Sequence, residues 1–62
     1  QMKHVWILFG VYYIEDHYKC EDIVSVHEES HSAHLHKEFL EKYSEAYDAY
    51  KIRQFEVLRK KD

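Results

Sequence analysis

Val5-Trp6-Ile7-Leu8-Phe9-Gly10-Val11-Tyr12-Tyr13-Ile14 is an uncharged run, β-branched and aromatic, and apolar on both of its alternating sets. A strand with one wet face alternates apolar with polar, whereas a strand covered on both faces reads as a continuous apolar stretch. This run therefore belongs in the middle of a sheet, and the remainder of a short chain has to be arranged around it. Val5, Ile7, Phe9, Val11 and Tyr13 form the uninterrupted set, expected to face the core. The other set, His4, Trp6, Leu8, Gly10 and Tyr12, is mixed and holds the chain's one glycine. A mid-strand glycine marks a bulge or a close approach by another group.

Glu15-Asp16-His17 is polar and turn-like, so a hairpin should lead into a second strand, roughly Tyr18 to His27, centred on Ile23-Val24-Ser25-Val26. A helical period follows. Leu35, Phe39, Leu40, Tyr43, Ala46, Tyr47 and Tyr50 recur at spacings of three and four, predicting one apolar stripe. Lys37/Glu41 and Glu38/Lys42 place opposite charges at i, i+4 on the wet side, and Ser30 is the expected N-cap. Near-alternation returns over Ile52 to Leu58, a third strand. The order ββαβ predicts a small α+β fold. It would be a two-layer sandwich, with a three-stranded antiparallel sheet of order 2-1-3 and one helix on one face. A single domain over 2–62 accounts for the chain, with Gln1 expected to be a remnant ahead of a native Met2.

These patterns carry a resemblance. With VWILFGVYY as first strand, IVSVHEESHSA as strand-to-helix junction and YKIRQFEVL as final strand, nearly the whole chain resembles a family of small uncharacterised ββαβ proteins of bacteria and phages. The resemblance implies the fold. At the junction that family has Ser or Thr followed by acidic residues, where this chain has His-Glu-Glu-Ser-His. By size the chain is also similar to small phage proteins that block bacterial immune systems, which implies an inhibitor rather than a particular chemistry.

His27-Glu28-Glu29-Ser30-His31 spells H-E-x-x-H, the pattern in which two histidines one helical turn apart hold zinc and the glutamate acts as base. That chemistry needs both histidines on one helix. Here the second strand is expected to reach His27 and the helix to begin near Ser30, so the motif straddles a corner. A catalytic zinc also needs a third ligand and a walled cleft, for which a one-helix domain has little material. No metal is expected. Were one bound, His27, His31 and His34 would be its ligands. Cys20 stands beside Glu21 and Asp22, the wrong sign of charge to activate a nucleophile. Gly10 is alone, so no phosphate loop exists, and neither enzyme activity nor a cofactor is expected.

Size sharpens the functional expectation. A chain of 62 residues has little stability to spare, chains this short usually draw on disulfides, metal or oligomerisation, and Cys20 is the sole cysteine. With the odd-numbered set under the helix, Trp6, Leu8 and Tyr12 would face outward uncovered, marking a contact site. Tyr43, Tyr47 and Tyr50 form an i, i+4, i+7 ladder expected as helix core, the alternative being that Tyr47 or Tyr50 overshoots the small sheet and contacts a partner. Trp6, Leu8, Tyr12, Tyr47 and Tyr50 are thus the expected self-association and interaction residues. Formal charge is −3, from nine basic and twelve acidic residues, with no basic patch beyond Arg59-Lys60-Lys61. Nucleic acid is not an expected partner. The apolar run is too short for a membrane span, and the chain is expected in the host cytoplasm. The expectation is a non-enzymatic homo-oligomer that occludes a larger bacterial protein. The alternative is a metal- or small-ligand-binding sponge using the histidine and tyrosine residues.

Overall fold

A central strand covered on both edges is what the apolar run becomes. In the computed structural model, which describes residues 2–58, β1 (Met2–Ile14) lies between β2 (Tyr18–His27) and β3 (Ala49–Leu58), antiparallel to both, with α1 (Ser30–Tyr43) between β2 and β3 in the chain. The expected α+β class, the ββαβ order and the strand order 2-1-3 are all observed. Gln1 and the Arg59-Lys60-Lys61 tail lie outside the described residues.

The hairpin between β1 and β2 turns on Glu15 and Asp16, both at positive φ (53° and 60°), and closes with the His17 N–H donating to the Ile14 carbonyl at 3.1 Å. Two successive left-handed residues match the twist of the flanking strands, which is why such turns favour Asn-Gly or Asp-Gly. Asp tolerates that backbone region; Glu does so at a cost. Farther along, the β1–β2 register slips between Leu8 and Phe9: Leu8 pairs with Ser25 but Phe9 with Ile23, leaving Val24 as the extra residue of a bulge. Because side chains alternate, the slip puts Ile23 and Val26 on one face and Asp22, Ser25 and His27 on the other.

The helix lies over the opposite face of β1 from the one expected. Leu8 is 0% exposed, and its cross-strand partner Ser25 bonds to His36 of α1, so the set containing Trp6, Leu8, Gly10 and Tyr12 is the covered one. The reason lies at Gly10. The Tyr47 ring rests flat on this glycine, whose missing Cβ would stand 2.5 Å from the ring. Only this set contains a residue small enough to admit it. The expected close approach at Gly10 is therefore realised by Tyr47.

The helix also ends earlier, and faces differently, than its apolar spacing predicts. Ser44 is extended (φ −118°, ψ 139°) and its N–H closes the last turn on Leu40. Tyr47 then sits in the connection and Tyr50 in β3 opposite Gly10, so Tyr43, Tyr47 and Tyr50 do not form one helical ladder. Pairing of Ala49 and Tyr50 with β1 satisfies backbone groups that a longer helix would leave unpaired, and Asp48 adds an N–H bond to the Val11 carbonyl at 2.8 Å. Ala33 is fully buried, with His36 and Leu40 half-buried at i+3 and i+7. Leu35, Phe39 and Tyr43 point away from the sheet. Glu29, not Ser30, occupies the N-cap position, and its side chain makes no capping bond.

Candidate functional site

The histidine motif falls across the corner, as its position between strand and helix requires. β2 ends at His27 and α1 begins at Ser30. Glu28 turns away from the imidazoles to Lys3, 2.8 Å distant, whose hydrogen bond and positive charge hold the carboxyl below its usual range. His34 is exposed and its Nδ1–H donates to the Ser30 carbonyl one turn back, at 2.9 Å. His31 is exposed as well. His27, His31 and His34 are thus not brought together. No group of three or more His, Cys, Asp or Glu residues among the described residues is placed to hold a metal ion.

What the corner assembles instead is a relay in which His36 takes the place expected of His31 and His34. Ser32 Oγ lies 2.8 Å from His27 Nδ1, His27 Nε2 lies 2.8 Å from Ser25 Oγ, and Ser25 Oγ lies 2.9 Å from His36 Nδ1. The two rings meet edge-on with centroids 5.6 Å apart. A serine has one proton to give, so at least one imidazole donates to Ser25. The relay ties the helix to β2 through the part-buried Ser25, His27 and His36 contacts and the exposed Ser32–His27 contact. Apolar spacing alone passes over His36; the clue is that it shares the helix side of Ala33 and Leu40.

The expected interaction residues are mostly internal. Leu8 and Tyr50 are buried, and Trp6, Tyr12 and Tyr47 half-buried, on the helix side of the sheet. Tyr47 donates from its hydroxyl to Asp22 Oδ2 at 2.9 Å and packs against Tyr12 (6.1 Å) and Tyr50 (5.7 Å). Tyr50 donates to Ser44 Oγ at 3.1 Å. The bond to Asp22 pushes the Tyr47 phenol up from its ordinary value; the charge of Asp22 does the same to Tyr12. This cluster locks the α1–β3 connection onto Gly10. Cys20, a free thiol, makes a weak contact to the Tyr18 carbonyl at 3.7 Å.

Two surfaces are left uncovered. The first is the outer sheet face, where register gathers the half-buried Val5 and Ile7 and the buried Phe9 and Val11 of β1 with the exposed Ile23, Val26, Phe55 and Val57 on either side. Ile23 is 63% and Val26 57% exposed. Beside this apolar half, Glu21 takes an ion pair with Lys51 and further pairs with Arg53 (3.5 Å) and Lys19 (3.8 Å). The Lys51 hydrogen bond leads in holding the Glu21 carboxyl below its usual range. Arg53 also lies over the rings of Phe9 (4.8 Å) and Phe55 (5.6 Å), shielding Phe9 from water. The second surface is the outward side of α1. There Leu35, Phe39 and Tyr43 follow at i, i+4 and i+8, the two rings 5.0 Å apart and Lys42 above Tyr43. Phe39 is 57% and Tyr43 66% exposed.

Among the described residues no helix is long and apolar enough to cross a membrane. Comparison with protein-family models, with curated proteins and with solved structures finds no match for this chain.

Proposed function

We propose that this chain is a non-enzymatic interaction protein, an inhibitor carried by a phage or other mobile element that binds and occludes a larger bacterial protein through the outward side of α1. The observation that carries the reading is the Leu35–Phe39–Tyr43 stripe: three large apolar side chains at helical spacing, all more than half exposed on a helix whose buried side is Ala33, His36 and Leu40. A helix that keeps its best apolar anchors in water is suited to a groove on another protein. Residues 28–48 hold six carboxylates against two lysines, so a groove with a basic rim complements this surface. The size of the chain, which is the ground of its resemblance to small phage proteins that block immune systems, supports the inhibitor role.

The alternative, a small-ligand module at the histidines, would have to break the Ser32–His27–Ser25–His36 relay to free a polar group, which disfavours it. The test is affinity capture from a bacterial lysate with the unaltered chain and with Phe39→Asp, an exposed substitution that leaves the core intact. A partner captured by the first and lost by the second is the expected result. Equal capture by both, or no saturable partner at all, would refute the reading.

A further inference from the structure

The Ser32–His27–Ser25–His36 relay holds a limited number of protons, and the limit follows from its donors and acceptors. Its three contacts span 2.8, 2.8 and 2.9 Å. With both imidazoles neutral, each contact keeps one hydrogen if all donors point the same way. His36 Nδ1–H then donates to Ser25, the Ser25 hydroxyl to His27 Nε2, and His27 Nδ1–H to Ser32. One added proton also fits. A charged His27 donates to Ser32 and to Ser25, and Ser25 turns its hydroxyl to His36 Nδ1. A second proton does not fit. Both rings would donate to Ser25 Oγ at once, and its hydroxyl hydrogen would lose its acceptor within the relay. Two positive rings would also stand with centroids 5.6 Å apart.

The surrounding elements do not offset a second charge. On β1, Trp6 stands opposite His27 and the fully buried Leu8 opposite Ser25, both uncharged. The basic groups of β1, Lys3 and His4, engage Glu28 at 2.8 Å and Glu56 of β3 at 3.7 Å, and Gln54 of β3 lies across from Trp6. On β2, Asp22 accepts from Tyr47. On α1, Lys37 pairs with Glu41, and His34 is turned to the Ser30 carbonyl. Glu29, at the N-cap position, is exposed and makes no capping bond, and the first turn of α1 has no acidic residue. His27 bonds to Ser32 in that turn, so the positive end of the helix dipole adds to any charge it carries. Among the described residues no carboxylate pairs with His27 or His36.

We infer that the relay is an acid-sensitive latch: it clasps α1 to β2 while the two imidazoles together hold at most one proton, and a second proton opens it. In the unfolded chain each histidine takes its own proton at about pH 6.5. On the acid side of that value the native pair binds one proton fewer than the unfolded pair. Stability is therefore complete above that range and falls as pH drops below it, by about tenfold in the folding constant per pH unit until the latch opens. The element released is α1, since Ser25–His36 and His27–Ser32 both join it to β2.

The imidazole resonances of the unaltered chain, followed by NMR through a pH titration, test the latch, with the exposed His31 and His34 as references on the same helix. His27 and His36 should share a first proton, each moving part of the way, and take the second in a separate, more acidic step. Amide hydrogen exchange across α1 should quicken at that second step. His36→Gln, whose amide can still reach Ser25, should leave His27 a single step. It should also remove the tenfold-per-unit slope from urea unfolding between about pH 5 and 6.5. His27→Gln should do the same for His36, and the titration of the unaltered chain decides even where neither variant folds. Independent single-step titration of both rings in the unaltered chain overturns the inference. So does a doubly charged pair that leaves α1 exchange unchanged, or an acid slope that persists undiminished in a folded variant.

Discussion

Replacing Gly10 with alanine should destabilise the protein through one contact, the Tyr47 ring. The alanine Cβ would stand 2.5 Å from Cγ and Cδ2 and 2.6 Å from Cδ1, whereas ordinary contact begins near 3.4 Å, so the ring must retreat by about 0.9 Å. Tyr47 is pinned at its far end by Asp22 and at its sides by Tyr12 and Tyr50. Forcing it away strains the core by about 1–3 kcal/mol, or else gives up a hydrogen bond of about 1 kcal/mol and two aromatic pairs of about 0.5–1.5 kcal/mol each. Against this stands a gain of about 0.5–1 kcal/mol from removing a glycine from mid-strand. The net loss is about 2 kcal/mol, which lowers Tm by roughly 10 °C in a domain of this size. Thermal unfolding at one fixed protein concentration reads it. A double-mutant cycle with Tyr47→Ala isolates the cause: in that background Gly10→Ala should be neutral or stabilising. If Gly10→Ala costs as much with Tyr47 absent as with it present, the ring is not the reason for the glycine.

Other consequences of the structure are open to measurement. Converting the hairpin residues Glu15-Asp16 to Asn-Gly should raise stability by about 1 kcal/mol in urea denaturation, since both sites hold positive φ and the replacements favour it. Leu8→Ala should cost about 2–5 kcal/mol and Leu35→Ala under about 0.5 kcal/mol, because the first is fully buried and the second half in water; equal costs would refute the assignment of faces. The Glu21 carboxyl titrates below its unfolded value, so its contribution is present above the ordinary glutamate range near 4.5 and is lost as pH falls through the lower folded value. Glu21→Gln should therefore flatten the acid limb of a stability–pH profile. Tyr47 is shifted the other way. Its contribution is intact below pH 10 and is lost as the phenol ionises above it, so Tyr47→Phe should reduce alkaline destabilisation, read from the midpoint of urea unfolding across that range.

Much of the architecture was legible in the chain. An apolar run on both alternating sets places β1 between two partners whatever its surroundings, and the turn residues at Glu15-Asp16 and the alternation from Ile52 onward supply those partners. Strand order 2-1-3 follows from that burial pattern without any knowledge of contacts. The corner at His27–Ser30 was legible for the same local reason, since β-propensity ends where helical spacing begins, and it separates the two motif histidines.

The choice of face was not legible, and the physical reason is symmetry. When both sets of a strand are apolar, the period of two no longer says which side the helix covers, and the balance passes to shape. Gly10 admits the Tyr47 ring on one side, Ala33 offers the helix a flat seat, and the Ser25–His36 bond holds the seat in place. Each of these is a contact between residues distant in the chain. The bulge at Val24 likewise moves Ile23 across the sheet through a slip in pairing that no local pattern records. For the same reason the apolar spacing of α1 proved to mark mostly its outward side, with Leu40 alone of the helical set turned inward. Spacing registers that Leu35, Phe39 and Tyr43 share a face of the helix, while the small and polar residues opposite are the ones that fit the sheet.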